Sequence, residues 1–102
     1  MKLLMRCLRV LKIVLSNQFK KDLKIAKKRG FNIERLSKVV DMLASGVKLA
    51  DKYRDHSLIG DYRGFRECHI EPDWLLIYCI EQNELELLLF RTGRHSDLFK
   101  TK

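Results

Sequence analysis

The chain has 102 residues, a mass of 12.1 kDa and a formal net charge of +8, with 21 Lys and Arg against 13 Asp and Glu. This length accommodates one domain, and 46% hydrophobic with 33% charged residues excludes general disorder. No apolar run reaches the roughly 20 residues that cross a bilayer. Arg6, Arg9 and Lys12 interrupt the apolar start, which argues against a signal peptide. We therefore expect a cytoplasmic protein with no membrane partner.

The cysteines are also typical of a cytoplasmic protein. Cys7, Cys68 and Cys79 are an odd number without CxxC spacing, which disfavours a disulfide framework and a structural zinc site. We interpret them as reduced, small apolar residues.

Charge is distributed unevenly along the chain. Residues 1–50 contain 13 Lys and Arg and 3 Asp and Glu, whereas residues 51–102 are near neutral and contain all three histidines. The first half is suited to attract a polyanion, and the second half carries the titratable groups.

The first half predicts one strand and two helices. Residues 8–15 (LRVLKIVL) are typical of a buried strand. A helix capped by Ser16 or Asn17 follows and ends at Gly30, and a second helix runs from the cap Asn32 to Gly46. Their apolar stripes consist of Phe19, Leu23 and Ala26 in the first helix and Leu36, Val39, Val40 and Leu43 in the second.

The second half predicts an antiparallel meander. After a loop over residues 47–64, strands are expected over 65–70, 74–80 and 85–90, with a short helical or edge segment over 92–99. The predicted fold is a single α+β domain over residues 1–102. In it, two N-terminal antiparallel helices pack on a four-stranded, mostly antiparallel sheet, and residues 1–7 form an extension.

Three histidines and one carboxylate form the candidate catalytic set. His56, His69 and His95 lie in polar segments, and adjacency of the predicted strands brings the loops of Asp73 and His95 to one edge. Imidazole suits both proton transfers of metal-independent RNA cleavage, in which the ribose 2′-hydroxyl attacks the adjacent phosphate. This pattern fits a nuclease, but it fits a basic binding module equally, because each histidine alone is more often structural.

Other side chains are candidates for binding RNA. Arginine binds phosphate oxygens through paired hydrogen bonds, lysine-rich helices attract polyanions, and aromatic rings stack on bases. The candidates are Arg66, Arg91, Arg94, Lys20, Lys21, Lys24, Trp74 and Phe99. The plainer alternatives are a core position for Trp74, an apolar plug for Phe99, a turn role for Asp73 and a solvated face for the lysines.

Three histidines could also bind zinc, but they lack helical metal-site spacing, so we expect no metal and no cofactor.

Residues 53–74, YRDHSLIGDYRGFRECHIEPDW, resemble the YafQ group of RelE-like toxins from bacterial type II toxin–antitoxin systems. The shared pattern is D-H-x-L-x-G, then G-F/Y-R-D/E-x-H-I/V-E-P-D-W, then an aliphatic strand with Tyr. Residues 91–99, RTGRHSDLF, are similar to the family ending R-T-G-x-H-x-x-L-F. The resemblance covers about residues 8–99 and implies a RelE-like fold.

The resemblance implies a ribosome-dependent mRNA endonuclease that cuts the A-site codon without metal and that a cognate antitoxin neutralises. By motif position, His95 would be the general acid and His56 the base, with Asp73 as the rival base. His69 would support the phosphate charge or orient its neighbours, and Phe99 would position the nucleotide, with Trp74 beside them. The expected partners are the antitoxin, the ribosome and mRNA.

Two other classes of function stay open. The same toxin fold includes ParE-like members that bind DNA gyrase without nuclease activity, and a non-catalytic basic RNA-binding protein would share the charge pattern.

Overall fold

The computed structural model describes residues 11–99, which form five strands and three α-helices. In chain order the elements are β1 (Lys12–Leu15), α1 (Asn17–Lys28), α2 (Ile33–Ala44), β2 (His56–Ser57), β3 (Arg66–Glu71), β4 (Trp74–Glu81), β5 (Glu86–Gly93) and α3 (His95–Leu98). Two 3₁₀ turns, Asp51–Tyr53 and Gly60–Tyr62, flank β2. The N-terminal extension and the start of the predicted first strand lie outside the described residues.

Both long helices begin where their caps predict. The Ser16 hydroxyl accepts a hydrogen bond from the Phe19 backbone N–H, and the Asn32 side chain accepts one from the Glu34 N–H. These bonds satisfy backbone donors that the first helical turn leaves free. A short link over residues 29–32 joins the two helices.

The five strands form one mixed sheet in the order β1-β5-β4-β3-β2. β1 pairs with β5 in parallel, and every other neighbouring pair is antiparallel. The α+β class is confirmed, but the predicted count of four strands is wrong, and the short α3 adds a third helix to the predicted pair. The fifth strand, β2, has two residues inside the segment interpreted as loop, and so short a strand has no periodicity to detect.

One face of the sheet, the helix face, packs against α1 and α2. Trp74, Leu76 and Tyr78 of β4 are 2% exposed or less there. The predicted helical stripes pack on the same cluster, with Phe19 2% exposed and Val39 2% exposed. This face holds the larger hydrophobic core.

The opposite face of the sheet, the open face, has a smaller apolar cluster. Leu75 and Ile77 of β4 and Leu98 of α3 are buried at its centre. Partly buried rings and one leucine surround them, namely Leu58, Tyr62, Phe65, Phe90 and Phe99. Because side chains alternate along a strand, β4 supplies both cores.

No helix within residues 11–99 has the length and apolarity to cross a membrane.

Candidate functional site on the open face

The pairing of β2 with β3 places two histidines on the open face. His56 lies opposite Glu67, so their side chains project from the same face, and His69 follows two residues after Glu67. His69 in turn lies opposite Leu75, which belongs to the open-face cluster. Diagonal neighbours of this kind are about 7–8 Å apart, so His56 and His69 share one patch of surface.

The third histidine reaches the same patch from β5. Leu75 lies opposite Gly93, which puts His69, Leu75 and Gly93 in one row across three strands. α3 starts two residues later at His95. With strands spaced about 4.8 Å apart, the row spans about 10 Å.

Packing of α3 holds His95 at that position. Leu98 is buried against Leu75 and Ile77, and the Phe99 ring lies 4.9 Å from the His95 ring, measured between centroids. Phe99 also packs edge-on against Tyr62 at 5.4 Å. The predicted site residues His95 and Phe99 are therefore neighbours on the open face.

Asp73 lies in the turn between β3 and β4, at the same end of the sheet. Its side chain is 69% exposed, and its Oδ2 atom is 3.8 Å from Nε of Arg94, the residue before His95. Three of the predicted groups, His69, Asp73 and Arg94, thus surround one end of the strands.

His56 is held between two acceptors. Its Nδ1 is 2.8 Å from the Arg54 carbonyl oxygen, and its Nε2 is 3.2 Å from Glu67 Oε1. An imidazolium satisfies both acceptors, because each of its ring nitrogens carries a proton. Glu67 is 6% exposed, and its other oxygen, Oε2, has no partner within the described residues.

His69 is held differently. Its Nδ1 is 3.3 Å from the Pro72 carbonyl oxygen, which as an acceptor selects the ring form with the proton on Nδ1. Across the described part of the chain, Nε2 of His69 has no hydrogen-bond partner. This nitrogen is the one available to accept a proton.

Two of the predicted arginines form ion pairs with carboxylates away from the histidines. Arg66 lies opposite Tyr78, hence on the helix-face side of β3, and its guanidinium contacts Asp55 at 3.3 Å. Arg91 donates to both carboxylate oxygens of Asp22, at 2.9 and 3.1 Å. Hydrogen bonds from each guanidinium to its carboxylate raise the pKa of Arg66 and of Arg91.

Trp74 belongs to the core. It is 2% exposed, packs at 4.9 Å against the Phe31 ring, and donates its indole N–H to the Thr92 hydroxyl at 2.9 Å. Stacking on a base requires an exposed ring face, so the structure corrects the expectation that Trp74 contacts substrate.

The predicted lysines of α1 are not brought to the open face. Lys20, Lys21 and Lys24 are exposed on a helix whose buried side packs on the helix face. They lie away from the histidines because the sheet separates the two surfaces.

Three acidic residues that bind predicted site residues were missing from the candidates chosen from the sequence. Glu67 contacts His56, Asp55 accepts hydrogen bonds from Arg66 and Tyr78, and Asp22 binds Arg91. The sequence does contain a signal for Asp22, because it is an isolated acid beside the apolar stripe of a lysine-rich helix. For Glu67 the signal is its two-residue spacing from His69, which places both on one face of a strand.

The described cysteines are poor nucleophiles. Burial, with the negative charges of Asp55 and Glu67 adding to it, raises the pKa of the Cys68 thiol to about 12, and burial also raises the pKa of Cys79. Within residues 11–99, no group of three or more His, Cys, Asp and Glu side chains is arranged to hold a metal ion.

Comparisons with known proteins agree on one family. Residues 11–100 match the family model described as bacterial toxin of type II toxin–antitoxin system, YafQ. The mRNA interferase toxin YafQ of Escherichia coli K12 is 41% identical over 86 residues, covering 82% of this chain and 90% of that protein.

Solved structures of related toxins are also similar to this chain. A metal-bound toxin from Helicobacter pylori is 52% identical with a TM-score of 0.83, covering 87% of this chain and 99% of that one. YafQ in the E. coli DinJ–YafQ toxin–antitoxin complex is 37% identical with a TM-score of 0.80, covering 88% and 98%. The chain belongs to the YafQ family of bacterial toxins of type II toxin–antitoxin systems.

Proposed function

We propose that this toxin is an endoribonuclease that cuts mRNA on the ribosome and that a cognate antitoxin neutralises. The observation that carries the proposal is the meeting of His56, His69 and His95, from distant parts of the chain, on one accessible face. Proton-transfer groups concentrated in this way suit a nuclease and serve no purpose in a toxin that acts by binding alone. The mRNA interferase relatives and the DinJ–YafQ complex support the activity and the partner.

His95 is assigned as the general acid that protonates the leaving 5′-oxygen. It is exposed at the start of α3, and the neighbouring Phe99 ring offers a surface for a nucleotide. Arg94, the preceding residue, has a half-exposed guanidinium between Asp73 and the Phe31 ring, and we assign it to binding a phosphate oxygen of the substrate.

His69 replaces His56 as the preferred base. Its Nδ1 is oriented by the Pro72 carbonyl, whereas Nε2 has no partner among the described residues. His56 has to break its contact with Glu67 before Nε2 can accept a proton from substrate. We therefore assign His56 to stabilising negative charge on the phosphorane, and Asp73 to positioning Arg94.

The chemistry assigned to these side chains requires proton donors and acceptors but no metal, so we propose that cleavage is metal-independent. The ribosome supplies alignment of the mRNA, a proximity effect that a domain of this size does not provide alone.

The test is cleavage of mRNA by translating ribosomes, read out as fragments ending in a cyclic phosphate. His95→Gln is expected to slow cleavage by about 100-fold or more, because general acid catalysis contributes about that factor. Ser96→Ala, an exposed neighbour on the same helix, is the matched control and should cut normally.

Three outcomes contradict parts of the proposal. Normal cleavage by His95→Gln removes the acid assignment. Loss of cleavage with 1,10-phenanthroline, which binds transition metals and leaves the ribosomal magnesium, shows a metal requirement. Absence of fragments under every condition indicates a toxin that acts by binding.

A further inference from the structure

A groove of about 570 Å³ lies between α2, the first 3₁₀ turn and the end of β3. Its walls carry four exposed or largely exposed basic side chains and one carboxylate, namely Arg35, Lys38, Lys52, Arg54 and Glu71. We call this feature the basic groove. It contains none of the lysines or arginines that sequence analysis assigned to RNA binding.

Most of the positive charge in the basic groove is uncompensated. Arg35 is 3.5 Å from Glu71, but within residues 11–99 no ion pair joins Lys38, Lys52 or Arg54 to a carboxylate. Arg35 and Lys38 are three residues apart and so neighbours on one side of α2. Clustered cations in a concave surface raise the local concentration of anions.

The basic groove adjoins the candidate site at the end of β3. His69, the assigned base, forms part of its wall. Arg54 contributes a second link, because its carbonyl oxygen accepts the hydrogen bond from His56 Nδ1. Arg54 has a φ of 50°, a left-handed backbone conformation uncommon for residues other than glycine. The backbone between the groove and His56 is therefore strained at Arg54.

We propose that the basic groove binds backbone phosphates of single-stranded RNA next to the bond that is cut. This inference rests on the proposed function and specifies where the substrate strand binds beside the site. Charge complementarity alone fits an acidic protein segment equally well. The observation that favours the RNA strand is that His69 lines the groove and His56 is hydrogen-bonded to Arg54, so a strand bound there lies next to the site.

The experiment measures binding without chemistry. A fluorescent 12-nucleotide RNA with 2′-O-methyl groups throughout has no attacking hydroxyl, so the toxin binds it without cutting. Anisotropy titrations over a range of salt concentrations compare the full-length chain with Lys38→Gln/Lys52→Gln. The matched control, Lys12→Gln/Lys48→Gln, removes the same two charges from exposed residues outside the basic groove, one of them on β1 at the opposite edge of the sheet.

Loss of two phosphate contacts is expected to weaken binding about tenfold near 0.1 M salt. It should also reduce the slope of log K against log salt by about 1.4, at roughly 0.7 per contact for single strands. The control double variant should stay within about twofold of the parent. Matching thermal unfolding of all three proteins ensures that the comparison is between folded chains.

Equal weakening by the two double variants overturns the proposal, because it shows a general effect of net charge. Unchanged RNA binding also overturns it, and loss of polyglutamate binding in the same variant would then assign the groove to an acidic protein segment. These results are independent of the cleavage assay. If the groove variant loses RNA binding but the parent protein cuts no mRNA, the data support RNA binding in the basic groove and reject the proposed endoribonuclease activity.

Discussion

The helix face and the open face of the sheet share strands β3, β4 and β5 but are packed to different extents. On the helix face, side chains such as Leu76 and Leu87 are fully buried under α1 and α2. On the open face, rings such as Tyr62 and Phe99 remain partly exposed around a small buried centre. The difference separates two tasks: one face supplies most of the stability, and the other keeps polar groups accessible.

The largest loss of stability is expected from a substitution in the core of the helix face. Trp74→Ala removes a buried indole, its contact with Phe31 and its hydrogen bond to Thr92. Such a truncation costs about 3–5 kcal/mol in the free energy of unfolding. Urea denaturation followed by circular dichroism measures it.

Phe99→Ala on the open face is the matched comparison. Its ring is partly exposed, so we expect a loss of about 1–2 kcal/mol in the free energy of unfolding. The rate of mRNA cleavage should fall strongly, because the ring is assigned to the nucleotide. Equal destabilisation by the two variants would show that the two faces contribute alike.

A second prediction concerns the ion pair that ties α1 to the end of β5. Asp22 is 6% exposed and accepts hydrogen bonds from Arg91 and from the Thr92 backbone N–H. Asp22→Asn leaves a partly buried guanidinium without its counter-charge, which should lower the free energy of unfolding by about 2–3 kcal/mol. Asp22→Ala should cost more, because it also removes the acceptor for Thr92. A change below about 0.5 kcal/mol in Asp22→Asn would mean that water replaces the carboxylate.

The smallest expected effect concerns the attachment of α3. Partial burial opposes it, but hydrogen bonds from the Arg29 guanidinium and the Arg94 N–H lower the pKa of Asp97 below its ordinary value of 3.8. A carboxyl group with a lowered pKa stabilises the fold above its ordinary pKa, and this contribution disappears as pH falls through the lowered value.

Asp97→Asn should therefore destabilise the protein at pH 7 by less than about 1 kcal/mol, since both partners are over a third exposed. The difference in melting temperature between parent and variant should shrink below pH 4. A difference that stays constant from pH 7 to pH 2.5 would show that Asp97 acts through its shape and not its charge.

Local features of this chain follow from the order of its residues. The Asn32 cap, the helical stripes and the β4–β5 hairpin were predicted correctly, and the structure selects Ser16 from the two predicted candidates for the first cap. Each of these features depends on residues a few positions apart. The motif spacing around His56, His69 and His95 also identified the family, which the comparisons confirm.

Tertiary structure decided which of those residues meet. A shift of one position in β3 would exchange the faces of Arg66 and Glu67, and only pairing with β2 and β4 settles that register. The same contacts bury Trp74, separate the α1 lysines from the histidines and bring Glu67 beside His56. Such outcomes depend on contacts between residues far apart in the chain, for which no local pattern of side chains carries a signal.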